Sequence, residues 1–338
     1  MAEQPLISII LPVHNGRKYL KQSIQSCLDQ TYLNLELIIV NDASTDSTLQ
    51  IAEDFAGLDK RVKIITNNIN QKLPASLNIG HRHAQGEFVT WTSDDNMYQK
   101  DALATLFKAI IQQKADIVYC DYLLIDEDGI LVGKTILKPI EFLLFYGVIG
   151  ACFLYRKEVF ERNHGYNDKL YLVEDYDFWL RALKHSHFYK IENPGYYYYR
   201  YHANSLTERM KTEPDLKNQF LQNLQELYEG LFDELPLKNK DVLVQFLISR
   251  FKDGTNDNIV PIINKGFFSD IEIVSLYLKD FIGKNLKRYI LEDVLETLLQ
   301  KEKFQKPINI YNLHREVKGD LIYLPIDRYF AILKKCLI

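Results

Sequence analysis

"LELIIVNDASTDSTLQIAEDFA", from Leu35 to Ala56, sets a strand, a polar turn and a helix one after another. Residues 35–40 are a mostly apolar run of strand length that ends before Asn41 and Asp42. Apolar residues then recur at helical spacing, at Leu49, Ala52, Phe55 and Ala56. A strand that passes through a polar turn into a helix predicts an α/β fold.

The same alternation continues on both sides of this stretch. We predict further strands and helices, the strands at 7–11, 62–66, 87–92 and 116–122 and the helices around 20–28, 74–84 and 103–111. This order predicts a mostly parallel sheet flanked by helices. Ligands of such sheets bind outside the carboxyl ends of the strands. We expect one polar site at that edge, because several polar residues follow predicted strand ends: Asn15, Asp42, Asp94 and Asp95.

The last part of the chain has a different pattern. The tyrosine-rich stretch 196–202 predicts one more strand. Beyond it, apolar residues recur at helical spacing, for example at 294–299. We therefore predict two parts, 1–208 and a mainly helical 209–338, which divide near the charged stretch 211–214.

Composition excludes several classes of protein. The 338 residues carry a formal net charge of -4, whereas a general nucleic-acid binder shows a strongly basic balance. The four cysteines lie far apart in apolar segments, which indicates buried, reduced thiols. The chain begins without a signal-peptide pattern, and the uncharged run 142–155 is too short to cross a bilayer. We expect a cytoplasmic protein without a membrane span or a nucleic-acid partner.

Asp94 and Asp95 form an adjacent pair of acids directly after the predicted strand 87–92. Neighbouring carboxylates oppose each other's ionisation, so such a pair is typical of a site that receives a cation or several hydrogen-bond donors. An exposed acidic turn is the alternative, since Asp-Asn is ordinary turn chemistry. Because the pair lies at a strand end beside other polar turns, we favour the cation site over the exposed turn.

Three motifs together resemble those of a known family. The stretch "ISIILPVHNGRKYLKQSIQSCLDQTYLNLELIIVNDASTDST" at 7–48 resembles the opening of family 2 glycosyltransferases, which are inverting enzymes of the glycosyltransferase-A fold. "GEFVTWTSDDN" at 86–96 is similar to their metal-binding aspartate motif. "VEDYDFWLRA" at 173–182 is similar to the motif of their catalytic base. The resemblance covers roughly residues 5–207 and implies the same fold here.

The resemblance implies a divalent cation, Mn²⁺ or Mg²⁺, that stabilises the charge of a leaving nucleoside diphosphate. It makes Asp95 the direct metal ligand, while Asp94 contacts the ribose or assists the metal. His202 lies where many relatives have a histidine near the metal, although a structural role is the alternative. Two positions depart from the family pattern, because Thr92 replaces a third acid of the metal motif and Asn41 the first acid of an Asp-Asp pair.

The same resemblance implies a nucleotide site at the ends of the first strands. It places the backbone of Pro12 and Val13, together with Asn15, around the base and the ribose. Asp42 would accept a hydrogen bond from a uracil-like edge. Lys72 either meets the diphosphate or is a solvated loop lysine. These residues together imply a UDP-sugar donor.

Inversion requires a base that takes the proton of the acceptor hydroxyl. From the residue types alone, Glu174, Asp175 and Asp177 compete for this role. Asp177 has an alternative role as a first-turn acid of the following helix, and the resemblance selects Asp175. Trp179 is either a wall of the acceptor site or, as we favour, part of the core.

These expectations describe a metal-dependent inverting glycosyltransferase of bacterial surface polysaccharide or glycolipid synthesis. Residues 1–122 would bind the donor, 123–208 would face a saccharide or lipid-linked saccharide acceptor, and 209–338 have no assigned role. The basic amphipathic stretch Asp327–Ile338 would lie on a membrane surface, at the inner face of the membrane, or dock as an ordinary helix. The alternative for the whole chain is a catalytically silent module that binds a nucleotide-sugar or a partner.

Overall fold

The computed structural model describes residues 4–192, 195–252 and 265–278 of the chain. Within these ranges the strands are β1 (Ile7–Val13), β2 (Leu35–Asp42), β3 (Val62–Asn67), β4 (Phe88–Trp91), β5 (Met97–Tyr98), β6 (Ile117–Cys120), β7 (Tyr122–Ile125), β8 (Leu131–Thr135), β9 (Phe153–Arg156), β10 (Phe188–Ile191) and β11 (Tyr197–Arg200). The α-helices are α1 (Leu20–Leu28), α2 (Thr48–Leu58), α3 (Lys72–His83), α4 (Ala102–Gln112), α5 (Lys157–Arg162), α6 (Glu174–Ala182), α7 (Leu206–Thr212), α8 (Pro214–Leu231), α9 (Lys240–Lys252) and α10 (Lys265–Tyr277).

In the described residues, a large sheet has seven strands in the order β10-β6-β9-β4-β1-β2-β3. β1 pairs in parallel with β2 on one side and with β4 on the other, and Val13 lies opposite Asn41. β9 runs antiparallel to β4 and β6. β1 and β2 are buried along their whole length, as is typical of parallel strands covered by helices on both faces. The predicted α/β fold with a mostly parallel sheet is confirmed.

A smaller sheet of four strands, in the order β5-β11-β7-β8, is also found among the described residues. β11 is the predicted tyrosine strand, and it pairs in parallel with β7 and antiparallel with β5. Its Tyr199 ring lies 5.6 Å from that of Tyr122, centroid to centroid, and such cross-strand aromatic pairs stabilise small sheets. The hydroxyls of Tyr197 and Thr92 lie 2.6 Å apart, so a buried hydrogen bond joins this sheet to the end of β4.

The predicted strand 116–122 is wrong in one respect, because the chain divides there into β6 and β7, which belong to different sheets. The break is at Asp121, whose carboxylate accepts the N–H of Leu137 at 3.0 Å and pairs with Lys190 at 3.1 Å. These polar bonds hold the carboxylate where the chain changes sheets. Periodicity alone does not reveal such a break, since apolar residues stand on both sides of Asp121. Likewise, no pattern predicts β9, which begins at the end of the uncharged run 142–155 and extends to Arg156.

The helices that flank the large sheet begin and pack as their sequences dictate. Asp46 accepts the N–H of Thr48 at 3.0 Å and so satisfies a free donor at the start of α2. α3 begins at Lys72, and Pro74 falls in its first turn, where the missing N–H is no loss. A Cβ at Gly80 would lie 2.4 Å from Ile10 Cγ2, so α3 lies this close to β1 only because position 80 is glycine.

The chain is helical after β11 in the part that the structure describes, where α7 to α10 follow one another. This confirms the predicted mainly helical C-terminal region as far as residue 278. The predicted helix 294–299 and the amphipathic stretch Asp327–Ile338 lie outside the described residues. No helix in the described ranges is both long and apolar enough to cross a membrane.

The described residues form two compact units, the first with 4–143 and 147–223 and the second with 144–146 and the residues from 224 onward. Within the second unit, the Asp270 carboxylate accepts the N–H groups of Lys238 and Asn239 at 2.9 and 2.5 Å, which fixes α10 to the start of α9. The predicted division into 1–208 and 209–338 concerns function and stays a prediction.

Candidate functional site

A cavity of about 490 Å³ opens where β1, β2 and β4 reach their carboxyl ends. We call it the edge cavity, and its lining combines carboxylates, cations, hydroxyls and two histidines. The lining residues are Pro12, Val13, His14, Asn15, Gly16, Lys18, Tyr19, Asp42, Asn70, Lys72, Leu73, Ser76, Ser93, Asp94, Asp95, Tyr171, His202, Asn204, Ser205, Leu206 and Arg209. They include all the residues that the sequence assigns to nucleotide and metal binding, whereas Asp175 is outside this lining.

Asn15 joins the end of β1 to the turn after β2. Its Oδ1 accepts the N–H of Thr45 at 2.8 Å, and its own N–H donates to Ser44 Oγ at 3.0 Å. Asn15 and Ala43 both have positive φ, 56° and 55°. This conformation costs a residue with a Cβ of order 1–2 kcal/mol, so the surrounding bonds impose it. Strained backbone of this kind is concentrated at functional sites.

Asp42 is buried at the carboxyl end of β2 and holds the loop that leads into α3. Its Oδ1 accepts the side-chain N–H of Asn67 at 2.8 Å and the backbone N–H of Gln71 at 2.9 Å. Its Oδ2 accepts the N–H of Lys72 at 3.0 Å. Because a carboxylate oxygen has two acceptor positions, Oδ2 can accept one more donor from the edge cavity.

Lys72 is the first residue of α3, in the left-handed region with φ 71°. Its backbone N–H is shared between Asp42 and Asn70, which keeps this strained residue in place. The side chain is exposed, and its Nζ lies 5.9 Å from the centre of the Tyr171 ring. A cation at that distance from an aromatic face is attracted to it. An exposed positive charge therefore lines the edge cavity near the loop before α6.

Asp94 is a carboxyl group that titrates near neutrality. Burial, followed by the negative charge of Asp95, raises its pKa to about 7. Gly16 leaves room for this carboxylate, since a Cβ there would lie 2.0 Å from Asp94 Oδ2 and 2.6 Å from Val13 Cγ2. A cation beside the pair would favour the ionised form of Asp94 in place of the protonated one.

Asp95 has two oxygens with different surroundings. Its Oδ2 lies 2.9 Å from His202 Nε2, and the His202 ring packs against that of Tyr19 with centroids 5.3 Å apart. Its Oδ1 is buried and has no hydrogen-bond partner among the described residues. A buried carboxylate oxygen without a hydrogen-bond partner costs free energy, because it has lost its water, and a bound cation would replace the missing partner. In the described ranges no three His, Cys, Asp or Glu residues converge to hold a metal. Asp95 and His202 are the pair already in contact at this turn, so they could hold a cation together.

α6 begins with three acids whose surroundings differ. Glu174 is 4% exposed, and burial together with the charge of Asp175 raises its pKa to about 8. Asp175 is half-buried and accepts the N–H of Tyr176 at 2.7 Å, and burial raises its pKa too. Asp177 pairs with Arg181, with 2.6 Å between Oδ2 and Nη2. Asp177 is therefore committed to an ion pair, and Asp175 is the more exposed of the other two.

Arg200 belongs to the site although no motif points to it. It is 1% exposed at the end of β11, and its Nε donates to the backbone oxygen of Asp95 at 3.0 Å. The sequence holds one signal for it: Arg200 is the single charged residue in the tyrosine-rich stretch 196–201, which is predicted to be a packed strand. Arginine is seldom buried without several hydrogen-bond partners, so a buried arginine here would be expected to bind several neighbouring segments.

The sequence matches a known family and several curated proteins. The family model for Glycosyl transferase family 2 matches residues 8–164. An uncharacterized glycosyltransferase of Rickettsia prowazekii, RP339, is 30% identical over 236 residues, which are 65% of this chain and 73% of the relative. An uncharacterized glycosyltransferase of Haemophilus influenzae is 38% identical over 140 residues, which are 41% of this chain and 56% of the relative. The chain therefore spans little more than half the length of this second relative.

Two solved structures share the fold. The crystal structure of S. aureus TarS 1–349 in complex with UDP-GlcNAc has a TM-score of 0.61 at 17% identity, over 93% of this chain and 88% of that one. The mannosyltransferase PcManGT of Pyrobaculum calidifontis, in complex with GDP-Man and Mn²⁺, has a TM-score of 0.51 at 15% identity, over 89% of each chain. Both are of the glycosyltransferase-A type, which confirms the predicted fold. The family match and the Rickettsia relative together establish that the chain belongs to glycosyl transferase family 2.

Proposed function

We propose that the chain transfers a sugar from a nucleotide-sugar to a hydroxyl acceptor, with inversion at the anomeric carbon and with the help of a divalent cation. One observation carries this proposal: a single cavity at the carboxyl edge of the sheet is lined by Asp42, Asp94, Asp95 and His202. Ligands of open α/β sheets bind at that edge. Family membership supports the same reaction.

A divalent cation fits the pair Asp95 and His202. Asp95 Oδ1 lacks a partner in the described part of the chain, and Oδ2 already lies 2.9 Å from Nε2. Carboxylate oxygens suit both Mn²⁺ and Mg²⁺, and Mg²⁺ is held by one or two carboxylates when phosphates complete its shell. When bound, such a cation stabilises the negative charge of the leaving diphosphate. Asp94 adds a second carboxylate there or binds the ribose, and the Mn²⁺ of the PcManGT complex supports this choice.

The donor in this proposal is a UDP-sugar. Asp42 Oδ2 takes one hydrogen bond from the protein and lines the edge cavity, which leaves it able to accept the N–H of a uracil edge. Pro12, Val13 and Asn15 line the same cavity and would surround the base and the ribose. Lys72 would place its charge beside the diphosphate. The UDP-GlcNAc bound to TarS supports a uridine donor.

Asp175 is the base in this proposal. It is more exposed than Glu174, and it lacks the ion pair that holds Asp177 among the described residues. Burial raises the pKa of Asp175, which makes its carboxylate a better proton acceptor. Glu174, with its pKa raised to about 8, would keep its own proton and leave Asp175 as the charged member of the pair. Tyr171 lies on the loop before α6 and lines the edge cavity, and Asp175 follows it four positions later in the first turn of α6.

The acceptor in this proposal is a hydroxyl of a saccharide or a lipid-linked saccharide, and the product belongs to bacterial surface polysaccharide or glycolipid. The bacterial origin of both relatives supports this setting. We place the reaction in the cytoplasm, because Cys27, Cys120 and Cys152 are buried and free, as reduced thiols are in that compartment.

The test is turnover with a panel of nucleotide-sugars. The full chain is incubated with UDP-, GDP- and TDP-sugars, Mn²⁺ and a range of hydroxyl acceptors, and released nucleoside diphosphate is measured by mass spectrometry. We expect release of UDP that requires Mn²⁺ or Mg²⁺. Full turnover in excess chelator would remove the cation from the proposal. UDP binding in a thermal-shift assay without turnover of any donor would instead favour the silent binding module.

A further inference from the structure

Arg200 is a nearly inaccessible arginine beside the edge cavity, with 1% of its surface exposed. Its guanidinium donates hydrogen bonds to acceptors on three separate segments, namely the oxygen of Asp95 at 3.0 Å, those of Asp126 and Glu127 at 3.1 and 2.9 Å, and Gln22 Oε1 at 2.7 Å. One side chain thus links the turn after β4, the turn after β7 and the helix α1.

All of these acceptors are neutral groups. No carboxylate of the described residues lies within ion-pair distance of the Arg200 guanidinium, which is 4.0 Å between nitrogen and oxygen. Burying a charge costs several kcal/mol, which the charge-assisted hydrogen bonds offset here. A planar fork that bonds in three directions is a property of arginine and not of lysine. The position therefore requires the shape of the guanidinium as well as its charge.

Arg200 also contacts the Tyr19 ring, which packs against His202, the partner of the Asp95 carboxylate. Its guanidinium lies 4.4 Å from the centre of the Tyr19 ring, and that ring packs against His202. The backbone N–H of Arg200 donates to Asn96 Oδ1 at 2.8 Å. Arg200 holds the backbone of Asp95, and His202, two residues later, holds its carboxylate. The segment 200–202, which starts at the last residue of β11, thus bonds to both the backbone and the carboxylate of Asp95.

We infer that Arg200 is a positioning residue for the pair Asp95 and His202: its hydrogen bonds fix the turn 94–96 against the segment 200–202, so that carboxylate and imidazole converge before a cation binds. The inference rests on the proposed function, because it requires this pair to hold a divalent cation. Ligands that are already in place avoid the cost of ordering them on binding. In this role Arg200 touches neither the cation nor the substrate.

The test is Arg200→Lys, which keeps the positive charge but cannot reach Asp95, Glu127 and Gln22 together. Mn²⁺ binding in the presence of UDP is measured by electron paramagnetic resonance, and UDP binding without metal by calorimetry. We expect a folded protein whose dissociation constant for Mn²⁺ rises about 10- to 100-fold, as when groups that orient metal ligands are lost. In turnover assays the Mn²⁺ concentration for half activity rises, and saturating Mn²⁺ restores most of kcat. Metal-free UDP binding stays unchanged.

Arg61→Lys is the matched control. Arg61 also makes several bonds, to the Asp59 carboxylate at 2.8 Å and to the oxygen of Leu28 at 3.0 Å, but it lies at the amino end of β3, away from the carboxyl edge. We expect its replacement to leave the affinity for Mn²⁺ unchanged. A loss of Mn²⁺ affinity in this control equal to that of Arg200→Lys would overturn the inference, because any lost arginine would then act in the same way.

Three outcomes separate the inference from the proposed function. Equal Mn²⁺ affinity in the wild type and Arg200→Lys would overturn the inference and leave the proposed function standing. An equal loss of Mn²⁺ binding and metal-free UDP binding would show collapse of the edge cavity and would also overturn it. A wild type that binds no Mn²⁺ would remove the cation from the proposed function and the inference with it. If Arg200→Lys does not fold, Gln22→Ala removes a single acceptor, and an unchanged affinity for Mn²⁺ in that variant overturns the inference.

Discussion

The pairs Asp94-Asp95 and Glu174-Asp175 are chemically alike, but the fold surrounds them differently. In each pair burial and the neighbouring charge raise one pKa, to about 7 for Asp94 and about 8 for Glu174. Asp95 lies 2.9 Å from an imidazole and lines a polar cavity, whereas Asp175 accepts the backbone N–H of Tyr176. We infer that the first pair is arranged for a cation and the second for a proton.

The difference follows from the elements that carry the two pairs. Asp94 and Asp95 follow the end of β4, where backbone groups and carboxylates line one cavity. Glu174 and Asp175 form the first turn of α6, where the helix dipole itself favours a negative charge. A helix start can therefore favour an ionised acid without a metal, whereas at the turn after β4 the Asp95 carboxylate faces the imidazole of His202 in a polar cavity. Each pair also has one buried carboxylate oxygen without a partner in the described residues, Asp95 Oδ1 and Glu174 Oε2.

The largest expected effect is that of Asp95→Ala, which removes the carboxylate assigned to the cation. We expect kcat/KM to fall by more than about 10³, beyond the usual effect of one lost stabilising donor, because the leaving diphosphate loses its counter-charge. Initial rates at several Mn²⁺ concentrations measure this. Asp46→Asn is the control, since Asp46 is an acid near the same edge that bonds to Thr48 outside the cavity lining. Retained activity in Asp95→Ala would contradict the conclusion that the pair Asp94-Asp95 is arranged for a cation.

Asp175→Asn tests the other pair. We expect kcat to fall about 10²- to 10⁴-fold, the range of a lost general base, while UDP binds with unchanged affinity. Rates and calorimetric titration with UDP measure the two quantities separately. The control is Asp177→Asn, whose ion pair with Arg181 is structural in our interpretation, so its effect should be on thermal stability. Loss of UDP binding in Asp175→Asn would assign Asp175 to the donor site instead.

Gly16→Ala tests the space around Asp94. A Cβ at this position would lie 2.0 Å from Asp94 Oδ2, so the carboxylate must move or the turn must open. We expect kcat/KM to fall about 10- to 100-fold, the scale of an ångström-sized misplacement in a site. Gly57→Ala is the matched control, because a Cβ there meets nothing within 4 Å. Equal rates in the two variants would show that the position of Asp94 does not matter.

Glu174→Gln should give the smallest effect, a change in how stability depends on pH. Because the folded pKa of Glu174 is raised from 4.5 to about 8, its contribution to stability is complete below pH 4.5 and is lost as the pH rises through 8. The variant has no such loss, so its melting temperature relative to the wild type should be higher at pH 9 than at pH 5. The shift is about 2–4 °C for each kcal/mol of unfolding free energy that the wild type loses. Calorimetry at both pH values measures this, and the exposed Glu53→Gln is the control. A constant difference would contradict the raised pKa.

The fold was largely predictable because its signals are local. The apolar runs of β1 and β2, the polar turns after them and the helix that follows each depend on neighbours along the chain. The placement of Trp179 in the core was also predictable, and it is 1% exposed and packs against Phe153 with ring centroids 5.0 Å apart. Amphipathic spacing is sufficient for such predictions.

The contacts of the candidate site could not be derived from spacing alone. Asp95 and His202 are 107 positions apart, and only the second sheet, which carries β11, brings them together. The division at Asp121 creates that sheet, and it depends on bonds to Leu137 and Lys190 that no periodicity contains. Residue types and resemblance predicted which side chains line the edge cavity, but the hydrogen bonds that hold them required the tertiary structure.

The hydrogen bond between Thr92 and Tyr197 limits which side chains position 92 can hold. Thr92 stands where the family pattern has a third acid, and its hydroxyl lies 2.6 Å from that of Tyr197, with both residues buried at the join of the two sheets. An acid introduced at position 92 would bury a new charge beside the tyrosine, which is expensive without a further partner. We therefore expect that an acid at position 92 would be tolerated only together with a compensating change at position 197.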